Sequence, residues 1–216
     1  MAREPGADTA QTPRWKKIKA TRVADLGLSP DTAEDILGED HEAFADMPPE
    51  TVIERLAKAD RGLEAMRLLA FALPKREAVW WACLAARADI AADPKPARPN
   101  QMACLEAAEA WVYKPVEERR LVCYRAAQAC DPDRPAVLAA LAAAFSGGSL
   151  TPPDSPPEVQ AVPPDDALAP LMVGNTLVLA TFRTDPVTAP KRLVRFLDQG
   201  RNIAQGGTGA LDSSPA

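Results

Sequence analysis

Histidine is almost absent from this sequence of 216 residues, in which His41 is the only one. Imidazole is the side chain that most often acts as a general base or completes a Ser–His or Cys–His catalytic arrangement. The sequence also contains no G-x-x-x-x-G-K-[ST] motif, which would indicate a phosphate-binding loop. Because the groups that these reactions require are missing, we expect a protein that is not an enzyme and has no catalytic residues.

Paired cysteines are missing as well. The four cysteines, Cys83, Cys104, Cys123 and Cys130, form no C-x-x-C motif. Zinc sites need clustered thiolates and imidazoles, so we expect no metal site and no cofactor. Cys123 and Cys130 would lie roughly 10 Å apart on one helix, too far for a disulfide. Because each cysteine has small apolar neighbours in the sequence, we expect buried thiols in a reducing cytosol.

The chain lacks an excess of positive charge and a long hydrophobic run. It has 25 Lys+Arg against 30 Asp+Glu, a net charge of −5, so we expect no nucleic-acid binding through a basic surface. The apolar segment 167–182 is shorter than the ~20 residues of a transmembrane helix, and Pro170 and Asn175 interrupt it. The N-terminal residues lack the apolar region of a secretory signal. We therefore expect a cytoplasmic protein without a membrane span.

Proline, by contrast, is abundant, with 22 residues, about twice the usual ~5%. Over residues 49–145, prolines and turn residues separate segments whose apolar side chains recur at helical spacing. The many alanines of this region favour helix and let helices approach closely. We therefore predict an all-α fold of stacked helical hairpins, either an irregular bundle or a short α-solenoid.

The segment 149–166 contains six prolines and is expected to be extended. We predict that it forms a proline-rich strap across the helical body, with Leu150, Val159 and Val162 pointing inward. The apolar patterns that follow, residues 167–182 and 191–207, predict a C-terminal pair of helices.

The domain organisation follows from these patterns. We expect a disordered, basic N-terminal segment over residues 1–20 and a single helical domain over residues 21–206 that includes the strap. Residues 207–216 are rich in small and polar residues and are expected to form a disordered tail.

The first candidate for a partner-binding surface surrounds two adjacent tryptophans. On a helical wheel, one strip is formed by Arg76, Trp80, Cys83 and Arg87. Trp81 lies about 200° from Val79, beside Ala85 and Ala88. A helix so apolar around its circumference is expected to be central, and we favour both tryptophans as core anchors with arginine stems over them. The alternative is a partner-facing strip, because Trp and Arg dominate interface energetics. The arginines could make cation–π contacts or bind the acidic segment 31–46.

A second candidate is the basic segment RWKKIKATR, residues 14–22, which carries five positive charges. The simpler interpretation is a solvated face that neutralises the acidic segment 31–46. The alternative is an N-terminal docking segment formed by Trp15, Lys16 and Lys17.

Four segments resemble a known family. They read FALPKREAVWWACLAAR (71–87), EAAEAWVYKPVEERR (106–120), FSGGSLTPPDSPPEV (145–159) and RFLDQGRNIAQG (195–206), and the motifs ALPKREAVWWA and SGGSL-x-PP are the most specific. The chain is similar to an uncharacterised bacterial family whose members accompany type VI secretion genes. The resemblance implies an accessory or adaptor role and supplies no catalytic residues.

Two functions from different classes therefore stand as expectations. The first is a non-catalytic cytosolic adaptor that binds another protein, such as a type VI secretion component or effector. The second is a small-ligand-binding protein or enzyme with a pocket between helices. An exposed apolar patch would favour the first, and a concave pocket with converging polar groups would favour the second.

Overall fold

The computed structural model describes residues 15–93, 95, 98–152, 155–156 and 158–211. These residues form nine α-helices and no β-strand, so the all-α prediction is confirmed. The helices are α1 (Pro30–Leu37), α2 (Pro49–Lys58), α3 (Gly62–Ala72), α4 (Lys75–Ala92), α5 (Pro99–Tyr113), α6 (Glu117–Gln128), α7 (Pro135–Ala144), α8 (Leu168–Phe182) and α9 (Ala189–Ala204).

The helices pack as an irregular bundle around α4 and α7. Helix α7 contacts α4, α5, α6 and α8, and α4 contacts α5, α7, α8 and α9. Helix α8 also packs on α3, far earlier in the chain, whereas each hairpin of a solenoid contacts only its neighbours. Of the two predicted arrangements, the packing is therefore that of an irregular bundle and not of an α-solenoid.

Within the described ranges, no helix combines the length and the hydrophobicity that crossing a bilayer requires.

The composition of α7 explains its central place. All of its residues except Leu141 are buried, and most of them are alanine. Alanine has the highest helix propensity and a side chain of one carbon, so four neighbouring helices can approach the α7 backbone closely. Pro135 begins the helix at a position where its missing N–H leaves no hydrogen bond unmade.

Trp81 joins α4 to α9, and its predicted burial is confirmed, since the side chain is 0% exposed. Its Nε1 donates a hydrogen bond to the Phe196 carbonyl at 2.8 Å. The indole lies directly against Gly200, where an added Cβ would meet Trp81 Cζ2 at 2.5 Å and Leu69 Cδ2 at 2.7 Å. Glycine at this position therefore lets α9 lie against the indole.

The proline-rich strap links α7 to α8 as a loop that closes on itself. The Leu150 N–H donates to the Val162 carbonyl at 2.7 Å, and the Val162 N–H donates to Ser149 Oγ at 3.1 Å. Val159 and Val162 are 50% and 53% exposed, so their predicted inward orientation is wrong, whereas Leu150 is partly buried. The hydroxyl side chains at the base of the loop bind its backbone locally, so it does not need the helical surface for those hydrogen bonds.

The N-terminal segment is ordered where the structure describes it. Trp15 is 5% exposed, and the Lys17 N–H donates to the Ala204 carbonyl at 2.8 Å. The prediction of disorder over residues 1–20 is therefore wrong for residues 15–20, because the indole adds to the core and the backbone is bound to the end of α9. Residues 1–14 lie outside the described part of the chain.

The predicted C-terminal tail is also held in part. The Gly209 N–H donates to Asn202 Oδ1 at 2.8 Å, and Trp80 Nε1 donates to the Thr208 carbonyl at 2.7 Å. The prediction of disorder is thus wrong for residues 207–211, because side chains of α4 and α9 bind this backbone. Residues 212–216 lie outside the described residues.

Arg120 secures the turn after α7. Its side chain is 5% exposed, and Nη1 donates to the Ala144 carbonyl at 2.7 Å, while Nε and Nη2 bind the Glu117 carboxylate at 2.7 Å each. Gly148 lies against this guanidinium, and its φ of +70° is in the left-handed region. An added Cβ would be 2.5 Å from Arg120 Nε. This position of the SGGSL motif therefore requires glycine for two reasons, the left-handed backbone and the lack of space for a side chain.

Gly148→Ala should therefore lower the free energy of unfolding by about 2–3 kcal/mol, the sum of backbone strain and overpacking. Gly147→Ala is the matched control, because no atom lies within 4 Å of its added Cβ. Its change should stay within about 0.5 kcal/mol. Urea denaturation of both variants checks this, and equal losses would show that Arg120 does not confine this turn.

Candidate partner-binding groove

A groove of about 580 Å³ runs along α4, between α5 and the segment after α9. Four of the residues predicted from the sequence line it, namely Lys17, Arg76, Trp80 and Arg87. The other lining residues are Glu77, Glu109, Val112, Tyr113, Ile203, Gly206, Gly207 and Thr208. We call this feature the α4–α5 groove. In the structure, Lys17 of the basic segment therefore lines the same groove as Arg76, Trp80 and Arg87. The sequence analysis had treated the basic segment and this strip as two separate candidate surfaces.

The two adjacent tryptophans differ in environment. Trp81 is in the core, as favoured above, whereas Trp80 is half-buried and forms part of the groove wall. The hydrogen bond from Trp80 to the Thr208 carbonyl fixes its indole against the C-terminal segment. The core interpretation therefore holds for one tryptophan, while the other contributes to both the core edge and an open surface.

Arg87 is paired within the groove. Its Nε and Nη2 bind the two oxygens of Glu109 at 2.5 Å each, in the bidentate geometry that suits a guanidinium and a carboxylate. These hydrogen bonds raise the pKa of the Arg87 guanidinium, which stays fully charged. The partner of Arg87 therefore lies on α5 and not in segment 31–46, which was one of the two alternatives left open for these arginines.

Arg76 is exposed and has no ion-pair partner among the described residues. Its Nε donates to the Val112 carbonyl at 2.7 Å, a contact that holds the guanidinium at the end of α5. Among the described residues, no arginine makes a cation–π contact with Trp80. The cation–π contacts that form there are those of Arg55 with Phe44 and of Arg119 with Tyr113. The remaining donors of Arg76 are thus available to a carboxylate from outside the molecule.

The basic segment contributes unequally to the groove. Lys17 Nζ lies 3.1 Å from Glu77 Oε1, and Lys16 is exposed beside Gly206 at the edge. Trp15 is buried elsewhere in the core, so its predicted role as an exposed docking residue is wrong. From the sequence, an indole next to a basic run can be either a core residue or an exposed docking residue, and only its packing in the structure distinguishes the two.

Tyr113 and Glu109 are groove residues that the sequence analysis missed. Tyr113 is 81% exposed at the last position of α5, where the Arg119 guanidinium lies 5.9 Å from the ring centroid. The sequence could have indicated Tyr113, because it is an aromatic residue that falls outside the apolar arc of α5 on a helical wheel. Glu109 was recognisable only as a solvent-facing acid, because its partner is on another helix.

The charges of the groove do not cancel. Lys17 is paired with Glu77 and Arg87 with Glu109, which leaves Arg76 as the cation without a carboxylate among the described residues. Apolar surface from Trp80 and Tyr113 lies on the same groove. The arrangement can therefore hold a carboxylate next to an apolar group.

Comparison with known proteins places the chain in a family. A family model described as a family of unknown function (DUF6931) matches residues 52–204, from the first turns of α2 to the last residue of α9. No match was found among curated proteins or among solved structures. The resemblance to an uncharacterised family is confirmed at this level. Because the matched region is more than half of the chain, the protein belongs to this family of unknown function, DUF6931.

Proposed function

We propose that the protein is a non-catalytic adaptor that binds another protein through the α4–α5 groove. The observation that carries the proposal is Arg76, an exposed guanidinium without a carboxylate partner among the described residues, on a groove with Trp80 and Tyr113. Arg, Trp and Tyr are the residue types that most often dominate binding energy at protein interfaces. A partner with a carboxylate side chain next to an apolar one would complement this surface.

The groove residues are held in position before any partner arrives. Arg76 is bound to the Val112 carbonyl, Trp80 to the Thr208 carbonyl, and Arg87 to Glu109. Side chains that are already ordered lose little conformational entropy on binding. This preorganisation supports a binding role for the groove.

The partner class to test first follows from the resemblance described above. Proteins similar in the ALPKREAVWWA and SGGSL-x-PP motifs accompany type VI secretion genes, so we propose a cytoplasmic type VI secretion component or effector as the partner. Four groove residues lie within one of the resembling segments, FALPKREAVWWACLAAR (71–87): Arg76, Glu77, Trp80 and Arg87.

Arg76→Glu should reduce partner binding at least tenfold, because it places a carboxylate opposite the carboxylate of the partner. The free energy of unfolding should change by less than about 0.5 kcal/mol, as is usual for an exposed residue. The measurement is affinity capture from a lysate of the native host, quantified by mass spectrometry, followed by titration of the captured protein with each variant.

Arg195→Glu is the matched control, since Arg195 is exposed on α9 and does not line the groove. Its binding should equal that of the unchanged protein. If Arg76→Glu captures the same proteins in the same amounts as Arg195→Glu, the groove is not the binding surface.

The volume of the groove favours a second candidate function. Small-molecule sites measure roughly 300–1,000 Å³, and the value of about 580 Å³ lies within that range. A small carboxylate with an apolar body would meet Arg76 and Trp80 in the same way as a protein partner. Thermal-shift screening of carboxylate metabolites tests this candidate, with a stabilisation that Arg76→Glu removes as the expected result.

A further inference from the structure

Two thiols that the adaptor role does not use lie side by side between α5 and α6. Cys104 Sγ on α5 and Cys130 Sγ, just after α6, are 3.5 Å apart, although 26 positions separate them in the sequence. The packing of α5 against α6 brings them together, so the same-helix spacing of Cys123 and Cys130 said nothing about this pair. The two sulfurs are in van der Waals contact without intervening atoms.

Only one of the two thiols can be reached from outside. Cys130 is partly exposed and lines a polar cleft of about 290 Å³, together with Asn100, Gln128 and Asp131 among others. Cys104 lies behind it and is 0% exposed. The cleft has room for several water-sized molecules, since one water takes about 30 Å³ of liquid volume. A small polar oxidant therefore has access to Cys130 but not to Cys104.

We propose that Cys104 and Cys130 form a thiol-oxidation site, in which hydrogen peroxide converts the pair into a reversible disulfide that joins α5 to the end of α6. This inference does not rest on the α4–α5 groove, because neither cysteine lines it.

The chemistry takes place in two steps. Cys130 sulfur attacks one oxygen of hydrogen peroxide, the O–O bond breaks, and the thiol proton leaves with the departing oxygen as water. The product is a sulfenic acid on Cys130. Cys104 sulfur then attacks Cys130 sulfur, the S–O bond breaks, and the hydroxyl leaves with the Cys104 proton as a second water. The two thiols lose two electrons in total, and one peroxide becomes two waters.

The order of the steps follows from the surroundings of the two groups. Burial, and then the hydrogen bond and charge of Cys130, raise the pKa of the Cys104 thiol to about 12, so it is neutral at physiological pH. Because peroxide reaches Cys130 first, the enclosed Cys104 is not the thiol that is oxidised to the sulfenic acid. It serves instead as the resolving group, because its sulfur already touches the one that is oxidised. A dithiol reductant such as thioredoxin or dithiothreitol would restore both thiols.

The test uses the reduced full-length protein and hydrogen peroxide in a few-fold molar excess, followed by alkylation and peptide mass spectrometry. We expect most molecules to lose two hydrogens and to yield one cross-linked peptide that joins Cys104 to Cys130. Dithiothreitol should reverse the change, and Cys83 and Cys123 should remain alkylatable after unfolding. No oxidation, a disulfide through Cys83 or Cys123, or overoxidation of Cys130 without a cross-link would overturn the proposal.

Two variants separate the roles of the thiols. Cys104→Ser should leave Cys130 as a sulfenic acid that dimedone traps, whereas Cys123→Ser should form the same cross-link as the unchanged protein. If dimedone labels Cys104 in Cys130→Ser as fast as it labels Cys130 in Cys104→Ser, the assigned order is wrong. Should a variant fail to fold, the peptide map of the unchanged protein still decides.

Discussion

Replacing Trp81 by alanine should lower the free energy of unfolding by about 3–5 kcal/mol, the usual cost of truncating a buried aromatic side chain. The indole is 0% exposed and lies between α4 and α9 against Gly200. Since glycine has no side chain to fill the space, the cavity left by the indole would stay open. Urea denaturation, with the slope compared between variants, is the measurement.

Trp80→Ala is the natural control because it removes the same side chain one position earlier, where the indole is half-buried. Its loss should be about half as large or less, in proportion to the smaller buried area. Trp81→Phe keeps a ring in the core but removes the hydrogen bond to the Phe196 carbonyl, and should cost about 1–2 kcal/mol. A loss below about 1 kcal/mol for Trp81→Ala would contradict the packing of α9 on this indole.

Arg183→Met should cost a comparable amount, about 3–5 kcal/mol at neutral pH, because it leaves a buried carboxylate without its partner. Arg183 follows α8, and its Nε and Nη2 bind the two oxygens of Asp89 at 2.8 Å each. Nη2 also binds Asp93 at 2.8 Å. The Asp89 side chain, on α4, is 3% exposed, so water cannot replace the guanidinium.

The effect of Arg183→Met should depend on pH in a defined direction. Burial raises the pKa of the Asp89 carboxyl, and the hydrogen bonds from Arg183 oppose that rise. Without Arg183 the pKa in the folded state rises further above the ~3.9 of an unfolded chain. The penalty for a charged Asp89 is then complete above the folded pKa and diminishes as pH falls toward the unfolded value. The variant should therefore lose more stability at pH 7.5 than at pH 5.

Denaturation at both pH values checks this result. The double variant Asp89→Asn with Arg183→Met carries no buried charge at this position, so its stability relative to the unchanged protein should vary little with pH. If Arg183→Met alone shows the same loss at pH 5 and pH 7.5, the loss comes from packing and not from the unpaired carboxylate.

The helical core could be predicted because local patterns determine it. Proline and turn residues mark the helix ends, and the apolar circumference of α4 indicates a central helix with Trp81 inside. The alanine content indicates that helices pack closely, but it does not indicate which helices contact one another. The choice between bundle and solenoid depended on the contact of α8 with α3, which no local pattern contains.

The site could be predicted only in part. Arg76, Trp80 and Arg87 share a strip because helical geometry places them there. The pairing of Lys17 with Glu77, 60 positions apart, was beyond sequence patterns, since any of the many acids could have been its partner.

The ends of the chain and the strap were mispredicted for a different reason. Small and polar residues over 207–211 suggest disorder, but their order comes from backbone groups that Trp80 and Asn202 bind. Backbone donors and acceptors are the same in every residue except proline, so composition does not show which of them find partners. The same holds for the hydrogen bonds that close the strap on itself.

Both described ends of the chain reach the α4–α5 groove, since Lys17 comes from one end and Thr208 from the other. An affinity tag or fluorescent protein fused before residue 1 would be joined to Lys17 by 16 residues, and one fused after residue 216 would be joined to Thr208 by eight, so either could fold back and mask that surface. The strap is a better attachment position, because its ends are joined by the Leu150–Val162 hydrogen bond and none of the strap residues that the structure describes lines the groove. Binding assays on this family should therefore carry their labels between α7 and α8.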